Sequence, residues 1–299
     1  MIYLKSFDLM SETAEEQYLN NFKRTCFESY YPMMMFPNKH LESIDFSDIT
    51  IFCGGNGSGK STLLNIISEK LELNRSTPFN KTYFFEPYLE CCEYEMAIRE
   101  PLRVKSIKDK SRIITSDDVF NHIIKVRERN ESLDFKRRLV FQEKTDMNRY
   151  GFKYPRFSSD NPNSVKEYSR LMQMSKQSAS KYVSKNVGID ERTYSNGENG
   201  YRYFIDAIQP VAIYLLDEPE NSLSAEMQLE LAHFIQGMAK LYECQFIMST
   251  HSPFLLSIPG ARIYDMDADP VSVRKWTDLP NVRIFHEFFK DHSYEFADE

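Results

Sequence analysis

Residues 49–64 read ITIFCGGNGSGKSTLL, and this stretch decides the fold. Its first five residues, 49–53, are mostly apolar or β-branched and predict a buried strand. Four glycines follow within six residues, and beyond them leucine and isoleucine recur at helical spacing as far as Leu71. A glycine-rich turn between a buried strand and an amphipathic helix is typical of a loop whose backbone amides surround phosphate oxygens.

The loop matches the phosphate-binding pattern GxxxxGK[ST]. Lys60 is expected to reach the β- and γ-phosphates of a nucleotide, and the Ser61 hydroxyl is expected to ligate Mg²⁺. The nucleotide-binding residues predicted from this motif are Gly54, Gly55, Asn56, Gly57, Ser58, Gly59, Lys60, Ser61 and Thr62.

The second motif is a pair of acidic residues, Asp217 and Glu218, which follow the apolar run 211–216. Asp217 lies 157 residues beyond Lys60. A buried strand of this kind delivers a carboxylate beside the phosphate loop, so Asp217 is predicted to bind Mg²⁺. Glu218 is predicted to orient and polarise the attacking water. Taken alone, an apolar strand that ends in Asp-Glu is common, and the prediction depends on its pairing with the phosphate loop.

The composition is that of a globular protein. The chain has 299 residues, of which 41% are hydrophobic and 27% are charged, so disordered and fibrous classes are excluded. No apolar run approaches the roughly 20 residues that cross a bilayer, and no export signal is evident at the N-terminus. Five cysteines without a metal-binding spacing fit a reducing cytosol, so a cytoplasmic location is expected.

Alternating strands and helices predict an α/β fold with a largely parallel sheet. Residues 1–100 and 194–299 are predicted to form the nucleotide-binding core, and 101–193 an inserted helical lobe. The predicted strands are 2–9, 49–53, 82–86, 112–115, 211–216, 245–250 and 261–265. The predicted helices are 14–22, the segment after the phosphate loop, a segment starting at 116, 133–144, 163–184, 199–208, 223–241 and 253–258.

Charge is distributed unevenly along the chain. The net charge is −7, from 37 Lys or Arg and 44 Asp or Glu. Residues 101–194 carry 21 basic and 12 acidic side chains, a local +9 that leaves −16 for the remainder. Such a basic lobe is able to contact a nucleic acid or an effector protein, although a solvated face paired with the acidic core explains the charges equally well.

Three short motifs accompany the phosphate loop and the Asp-Glu pair. They are YSNGE at 194–198, NSLS at 221–224 and STHSP at 249–253, which contains His251. With these motifs in this order, the chain resembles the ATP-binding-cassette ATPases over about 1–85 and 194–265. The sequences of these motifs are similar to those of small stand-alone predicted AAA-type ATPases. Such ATPases resemble the heads of chromosome-maintenance and double-strand-break-repair proteins.

The resemblance implies an ATP-dependent homodimer with Mg²⁺ as cofactor. YSNGE would be the signature motif, in which Ser195, Gly197 and Glu198 of one subunit face the γ-phosphate bound by the other. NSLS would be the loop that connects the two subunits. His251 would be the switch histidine that senses the γ-phosphate and acts with Glu218 in hydrolysis.

The chain departs from the transporter pattern at several positions. Asn196 replaces the first glycine of the signature, which is tolerable because asparagine accepts left-handed backbone geometry. The glutamine expected at a strand end is not evident, and Ser116 and Asp117 are its candidate substitutes. Tyr30, Tyr31 and Phe36 are candidates for stacking on adenine, although packing is the better explanation for each.

The favoured function is an ATP-gated dimeric switch in DNA repair or in defence against mobile elements, including antiviral defence. One alternative is the cytosolic ATPase subunit of a membrane transporter, and the other is a nucleotide-dependent scaffold with little turnover. The non-transporter signature and the basic lobe favour the switch, and the intact Glu218 disfavours the scaffold.

Overall fold

Six strands form the central sheet in the computed structural model, which describes residues 1–22, 27, 29–98, 100–151, 163–187 and 196–296. In spatial order they are β5 (Arg112–Thr115), β6 (Ile213–Asp217), β7 (Gln245–Ser249), β3 (Ile49–Cys53), β8 (Arg262–Asp265) and β9 (Ser272–Arg274). The first five strands are parallel, and β9 pairs antiparallel with β8. The predicted α/β fold with a largely parallel sheet is confirmed.

A second, smaller sheet was not predicted as such. Its strands, in the order β2 (Ser43–Asp45), β1 (Leu4–Asp8) and β4 (Glu93–Met96), are all antiparallel. Only β1 was expected, because β2 and β4 are short and alternate between exposed and more buried positions. Strands of this kind contain no apolar run that marks them in the sequence.

Eleven α-helices occur in the described part of the chain. They are α1 (Glu12–Asn21), α2 (Lys60–Lys70), α3 (Phe85–Cys91), α4 (Pro101–Lys110), α5 (Ser116–Tyr150), α6 (Asn163–Ser175), α7 (Ala179–Asn186), α8 (Asn196–Ala207), α9 (Ala225–Leu241), α10 (Pro253–Leu256) and α11 (Pro280–Asp291). The helix expected over 163–184 is thus divided into two, because Ser178 caps the start of α7 by accepting a hydrogen bond from the Lys181 amide.

The prediction of two helices over 116–144 was wrong. One continuous helix, α5, covers the whole stretch. The stretch contains neither glycine nor proline between its ends, and polar residues such as those at 127–132 propagate a helix well enough to join its two apolar parts. The basic side chains between residues 125 and 138 therefore lie along one uninterrupted helix.

The strand predicted at 82–86 is also wrong, since α3 begins inside it. Thr82 forms the preceding turn, in which its carbonyl accepts from the Phe85 amide and its hydroxyl accepts from the Phe84 amide. Pro87 then falls in the first turn of the helix, where a missing backbone N–H costs nothing. The aromatic residues that suggested a strand instead fill the core, and Phe84 and Phe85 are fully buried.

The chain divides into two compact units. One unit consists of Met1–Phe120 and Asn196–Glu299, and the other of Asn121–Ser195. The second unit contains the C-terminal part of α5 together with α6 and α7. The predicted lobe began at residue 101, whereas the structure places α4 and β5 of that stretch with the central sheet.

The buried side chain of Gln245 connects the N-terminal segment to the central sheet. Gln245, the first residue of β7, is fully buried. Its Oε1 accepts from the amides of Tyr3 (2.9 Å) and Leu4 (2.8 Å). Its Nε2 donates to the carbonyls of Leu4 (2.8 Å) and Ser47 (3.1 Å). All four hydrogen-bonding positions of this amide are therefore used.

We expect Gln245→Leu to lower the free energy of unfolding by about 3 kcal/mol, because it leaves several buried backbone groups without partners. Chemical denaturation of both proteins measures this difference. Gln209→Leu, at an exposed position, is the matched control and is expected to change little. Equal stability of the Gln245 variant and the wild type would contradict the structural role given to this side chain.

Candidate functional site

The phosphate loop lies between β3 and α2, at the carboxyl end of a central strand of the sheet. Gly57 and Gly59 adopt positive φ angles of 80° and 97°. A Cβ atom on Gly59 would also approach Met35 Sδ and Phe36 Cε1 to 3.2 Å each. Position 59 therefore requires glycine both for its backbone angle and for the space that the neighbouring chain leaves.

Lys60 is directed into the loop rather than into solvent. Its side chain is buried, and Nζ donates to the carbonyl oxygens of Gly54 (2.8 Å) and Gly55 (3.0 Å). Ser58 is also buried, and its hydroxyl has no hydrogen-bond partner within the described part of the chain. The loop thus encloses the Lys60 ammonium and the unsatisfied Ser58 hydroxyl. Both groups are able to donate a hydrogen bond to a phosphate oxygen.

The remaining loop positions differ in exposure. Asn56 and Gly57 are exposed at the tip of the loop, whereas Thr62 is buried in the first turn of α2. A Cβ atom built on Gly57 would meet no atom within 4 Å among the described residues. The tip is therefore open, and the base of the loop is packed.

Ser61 and Asp217 are in contact, although they are far apart in the sequence. The Ser61 hydroxyl donates to Asp217 Oδ1 at 3.0 Å, and the Ser249 hydroxyl donates to the same oxygen at 2.5 Å. The register of β6 and β7 pairs Asp217 directly with Ser249. Burial raises the pKa of the Asp217 carboxyl above its ordinary value, although the hydrogen bonds from Ser249 and Ser61 act in the opposite direction.

The oxygen atoms of Ser61 and Asp217 are suitable ligands for a magnesium ion that binds together with a nucleotide. A carboxylate and a hydroxyl are the oxygen ligands that Mg²⁺ takes at phosphate-loop sites, where phosphates and waters complete its coordination. Among the described residues, no group of three or more His, Cys, Asp or Glu side chains is arranged to hold a metal on its own. The Ser61 and Asp217 pair therefore fits a shared cation.

Glu218 follows β6 in a left-handed backbone conformation, with φ of 47°. Its amide donates to the carbonyl (3.1 Å) and to the hydroxyl (3.0 Å) of Ser249, and these contacts hold the unusual angle. The carboxylate accepts from Asn221 Nδ2 at 2.9 Å, and its other oxygen lies 3.5 Å from His251 Nε2. The side chain is 28% exposed, so a solvent molecule can reach it.

His251 follows β7 on the same edge of the sheet. Its amide donates to Glu220 Oε1 at 2.6 Å, while its Nε2 is buried and makes no hydrogen bond within the described residues. Burial raises the pKa of Glu220, against the effect of the His251 amide. The structure thus brings together five of the predicted site residues, which are Lys60, Ser61, Asp217, Glu218 and His251.

The predicted signature motif lies partly outside the described residues, since 194 and 195 fall there and Ser195 with them. Gly197, in the first turn of α8, lies beside the loop at 221–224, because its added Cβ would be 3.5 Å from Ser222 O and from Ser224 N. A Cβ on Gly200 would press on Leu223 at 3.2 Å. Glu198 lies between these two glycines on the same helix.

Other candidates have structural partners. Tyr30 packs on Phe84 with ring centroids 5.1 Å apart, and Tyr31 stacks on Phe85 at 6.2 Å. Phe36 is fully buried. Tyr31 and Phe36 thus have a packing role, whereas Tyr30 keeps 39% of its surface exposed.

Ser116 and Asp117 begin α5, but the side chain that bonds at this helix start is Asp118. Its Oδ2 accepts from the Thr115 amide at 2.9 Å and from the Thr115 hydroxyl at 3.1 Å. Ser116 and Asp117, the candidate substitutes for the missing glutamine, do not make this contact.

Asp267 is a site residue that the sequence analysis missed. It follows β8, and its Oδ2 accepts from the Gly55 amide at 2.6 Å. The carboxyl ends of parallel strands meet at one edge of a sheet, so an acidic residue just after β8 was a candidate by position. Its carboxylate both anchors the loop and places a negative charge beside it.

We expect Asp267→Asn to bind MgATP about threefold to tenfold more tightly, because it keeps an acceptor for Gly55 but removes a charge that opposes the triphosphate. Isothermal titration of both proteins measures the difference. Asp269→Asn is the matched control, since the Asp269 side chain is 73% exposed. Weaker binding by Asp267→Asn would show that the carboxylate assists the nucleotide instead of opposing it.

A buried parallel sheet that carries a phosphate loop, a lysine enclosed by that loop and a paired serine and aspartate defines a P-loop nucleotide-binding protein. The model of the family described as "ABC transporter" matches residues 42–221, which is more than half of the chain. The chain therefore belongs to the family of ATP-binding-cassette ATPases. A second model, described as "AAA domain, putative AbiEii toxin, Type IV TA system", matches residues 202–257.

A curated protein to which the chain is similar is the small ribosomal subunit biogenesis GTPase RsgA of Latilactobacillus sakei subsp. sakei (strain 23K). It is 34% identical over 79 residues, which cover 24% of this chain and 26% of that protein. The chain thus spans about a quarter of the length of this relative.

Similar solved structures include two heads of Smc proteins and an ATP-binding cassette. The Smc head domain of Pyrococcus furiosus, bound to the C-terminal domain of ScpA, has a TM-score of 0.44 and 15% identity, with 96% of this chain and 100% of that chain covered. The SMC head of Thermotoga maritima has a TM-score of 0.36 and 14% identity, with 92% and 99% covered. A dimeric ATP-binding cassette bound to ADP and phosphate has a TM-score of 0.36 and 14% identity, with 79% of this chain and 90% of that chain covered.

Within the described part of the chain, every helix is too short or too polar to span a lipid bilayer.

Proposed function

We propose that this protein binds and hydrolyses ATP with Mg²⁺ and acts as an ATP-gated homodimeric switch. The observation that supports it best is the group formed by Ser61, Asp217 and Ser249, with Glu218 beside it. A cation ligand pair and an accessible carboxylate thus occupy the same edge of the sheet as the phosphate loop.

Each residue has a defined task in this proposal. The loop amides and Lys60 neutralise the triphosphate, and Ser61 with Asp217 holds Mg²⁺, which supplies charge neutralisation at the phosphates when bound. Glu218 takes up the position of the base that orients water, since its carboxylate is held by Asn221 and is partly exposed. His251 lies against that carboxylate and is placed to respond to the γ-phosphate.

The homodimer follows from the charge of the nucleotide. Lys60 and the cation ligands cover one flank of a γ-phosphate, and stabilisation of its transition state needs donors on the other flank as well. Ser195, Gly197 and Glu198 of a second protomer would supply that flank through the N-terminus of α8. A symmetric pair of such sites satisfies both protomers at once.

We expect Glu218→Gln to reduce ATP hydrolysis by about 100-fold or more, because glutamine keeps the shape of the side chain but cannot act as a base. ATP binding should persist, and the variant should accumulate as a long-lived dimer. Phosphate release and light scattering with ATP and Mg²⁺ measure these two properties.

Lys60→Ala should abolish ATP binding, since the charge of the triphosphate then lacks its counter-ion.

Glu226→Gln, at an exposed position in the first turn of α9, is the matched control and should hydrolyse ATP at the wild-type rate. If the Glu218→Gln protein stayed monomeric and still hydrolysed ATP, this would refute both the role of Glu218 as the base and the site shared between two protomers.

DNA repair or defence against mobile elements, including antiviral defence, is the cellular role we propose, with a cytoplasmic location. The second family model supports it, since its description names a toxin of a type IV system. The alternatives are the cytosolic ATPase of a membrane transporter and a scaffold with little turnover. A membrane-protein gene beside this one would favour the former, and wild-type protein that binds ATP without hydrolysing it would favour the latter.

We further propose that the working surface of the switch is the basic unit and that it contacts a polyanion. Residues 121–195 carry 16 Lys or Arg and 9 Asp or Glu, a net +7 within a chain of −7. Along α5, the side chains of Arg127, Arg129, Lys136 and Arg138 are exposed. Exposed Phe135 and Phe141 lie among them, and aromatic faces among basic groups suit single-stranded nucleic acid.

We expect nucleic-acid affinity to fall steeply with salt, because each phosphate contact on duplex DNA releases counterions and contributes about −0.9 to the log–log slope. Replacing Lys136, Arg137 and Arg138 with Gln should make this slope shallower and leave basal ATP hydrolysis intact. Fluorescence anisotropy at several salt concentrations measures the slope.

The matched control replaces three exposed lysines of the other unit, Lys240, Lys275 and Lys290, with Gln, so that the same charge is removed. Equal losses in both triple variants would indicate an effect of net charge alone. Absence of binding by the wild type at about 50 mM salt would leave the effector protein as the partner of this unit.

A further inference from the structure

One side chain joins the loop at 221–224 to the segment that contains the switch histidine. Gln228, near the start of α9, donates through Nε2 to the carbonyl of Leu223 at 3.0 Å. Its Oε1 accepts from the Ser252 hydroxyl at 2.6 Å. The two ends of a single planar amide therefore contact both segments.

Ser252 transfers this contact to the backbone beside His251. Its side chain is buried, and its oxygen accepts from the amides of Phe254 (3.2 Å) and Leu255 (3.3 Å), which begin α10. A hydroxyl has one proton, and Gln228 receives it. A displacement of Gln228 therefore changes the cap of α10 and the residue that follows His251.

The other end of the connection is a surface segment. Asn221 and Ser224 are exposed, and the Leu223 carbonyl that Gln228 contacts lies between them in the same short loop. A displacement of the loop backbone therefore moves the acceptor of Gln228. The loop also contacts the predicted base directly, since Asn221 Nδ2 donates to Glu218 at 2.9 Å. Contact with this loop is thus able to reach Glu218 through Asn221 and His251 through Gln228.

We propose that Gln228 is a positioning residue that couples docking of the second protomer at 221–224 to the placement of His251. The inference rests on the proposed ATP-dependent dimer and names the contact by which that dimer regulates hydrolysis. Without the connection, the protomers still dock, but the histidine segment does not take up its position for turnover.

Two substitutions separate coupling from local support. Gln228→Met removes both hydrogen bonds at nearly constant volume. Gln228→Glu keeps an acceptor for Ser252 and replaces the donor to Leu223 with an oxygen, so it breaks the connection at the loop end only. Gln236→Met, two turns further along α9, is the matched control for a substitution of the same residue type.

We expect both Gln228 variants to lose about tenfold to hundredfold in kcat, the scale of a misplaced active-site group, while KM for ATP changes less than about twofold. ATP-driven dimer formation, measured by light scattering in the Glu218→Gln background, should keep its wild-type midpoint. Gln236→Met should match the wild type in all three measurements. Melting curves that superimpose on that of the control confirm that the variants are folded.

Three outcomes would overturn the inference. Wild-type kcat in Gln228→Glu with a loss in Gln228→Met would show that the side chain only supports α10. A weaker dimer that accounts for the whole loss of activity would place Gln228 in docking alone. A wild-type protein that neither hydrolyses ATP nor dimerises with it would instead refute the proposed function, and this inference with it.

Discussion

The partly buried carboxylate of Asp217 is the constraint on which the rest of the site depends. Such a group is costly unless donors surround it, and here two hydroxyls, from Ser61 and Ser249, donate to one oxygen. The donors belong to α2 and β7, and α2 packs against both β6 and β7. The arrangement of these three elements and the geometry of the site are therefore set by the same hydrogen bonds.

Acidic side chains are concentrated just beyond the carboxyl end of β6. Asp217, Glu218 and Glu220 lie within four residues of one another, and burial raises the pKa values of Asp217 and Glu220. The ionised forms of Asp217 and Glu220 are thus less favoured here than in water, and a bound cation would offset this cost. Concentrated like charge of this kind is typical of sites kept for binding rather than for folding.

The sequence was most informative where structure is local. The strand at Ile49–Cys53, the phosphate loop and the Asp217-Glu218 pair could be predicted, because strand, turn and helix signals occur within a few residues of one another. Asp267, Gln245 and Gln228 could not, because their roles depend on partners brought close only by the fold. The error at 82–86 has a similar cause, since aromatic content indicates burial without distinguishing a strand from a helix.

The chain contains only ten glycines, and two of them lie where a helix meets the loop at 221–224. Gly197 and Gly200 lie on α8 where its backbone meets the loop at 221–224. A Cβ atom on Gly197 would only touch Ser222 and Ser224, whereas one on Gly200 would press on Leu223 at 3.2 Å. That loop in turn holds Glu218 through Asn221 and the histidine segment through Gln228. The start of α8, the loop and the two predicted catalytic side chains thus form one contiguous packed set. In such a set a movement at the helix cannot leave the acidic edge unchanged, and a nucleotide-gated switch requires this property, whereas loops held independently would permit binding without a response.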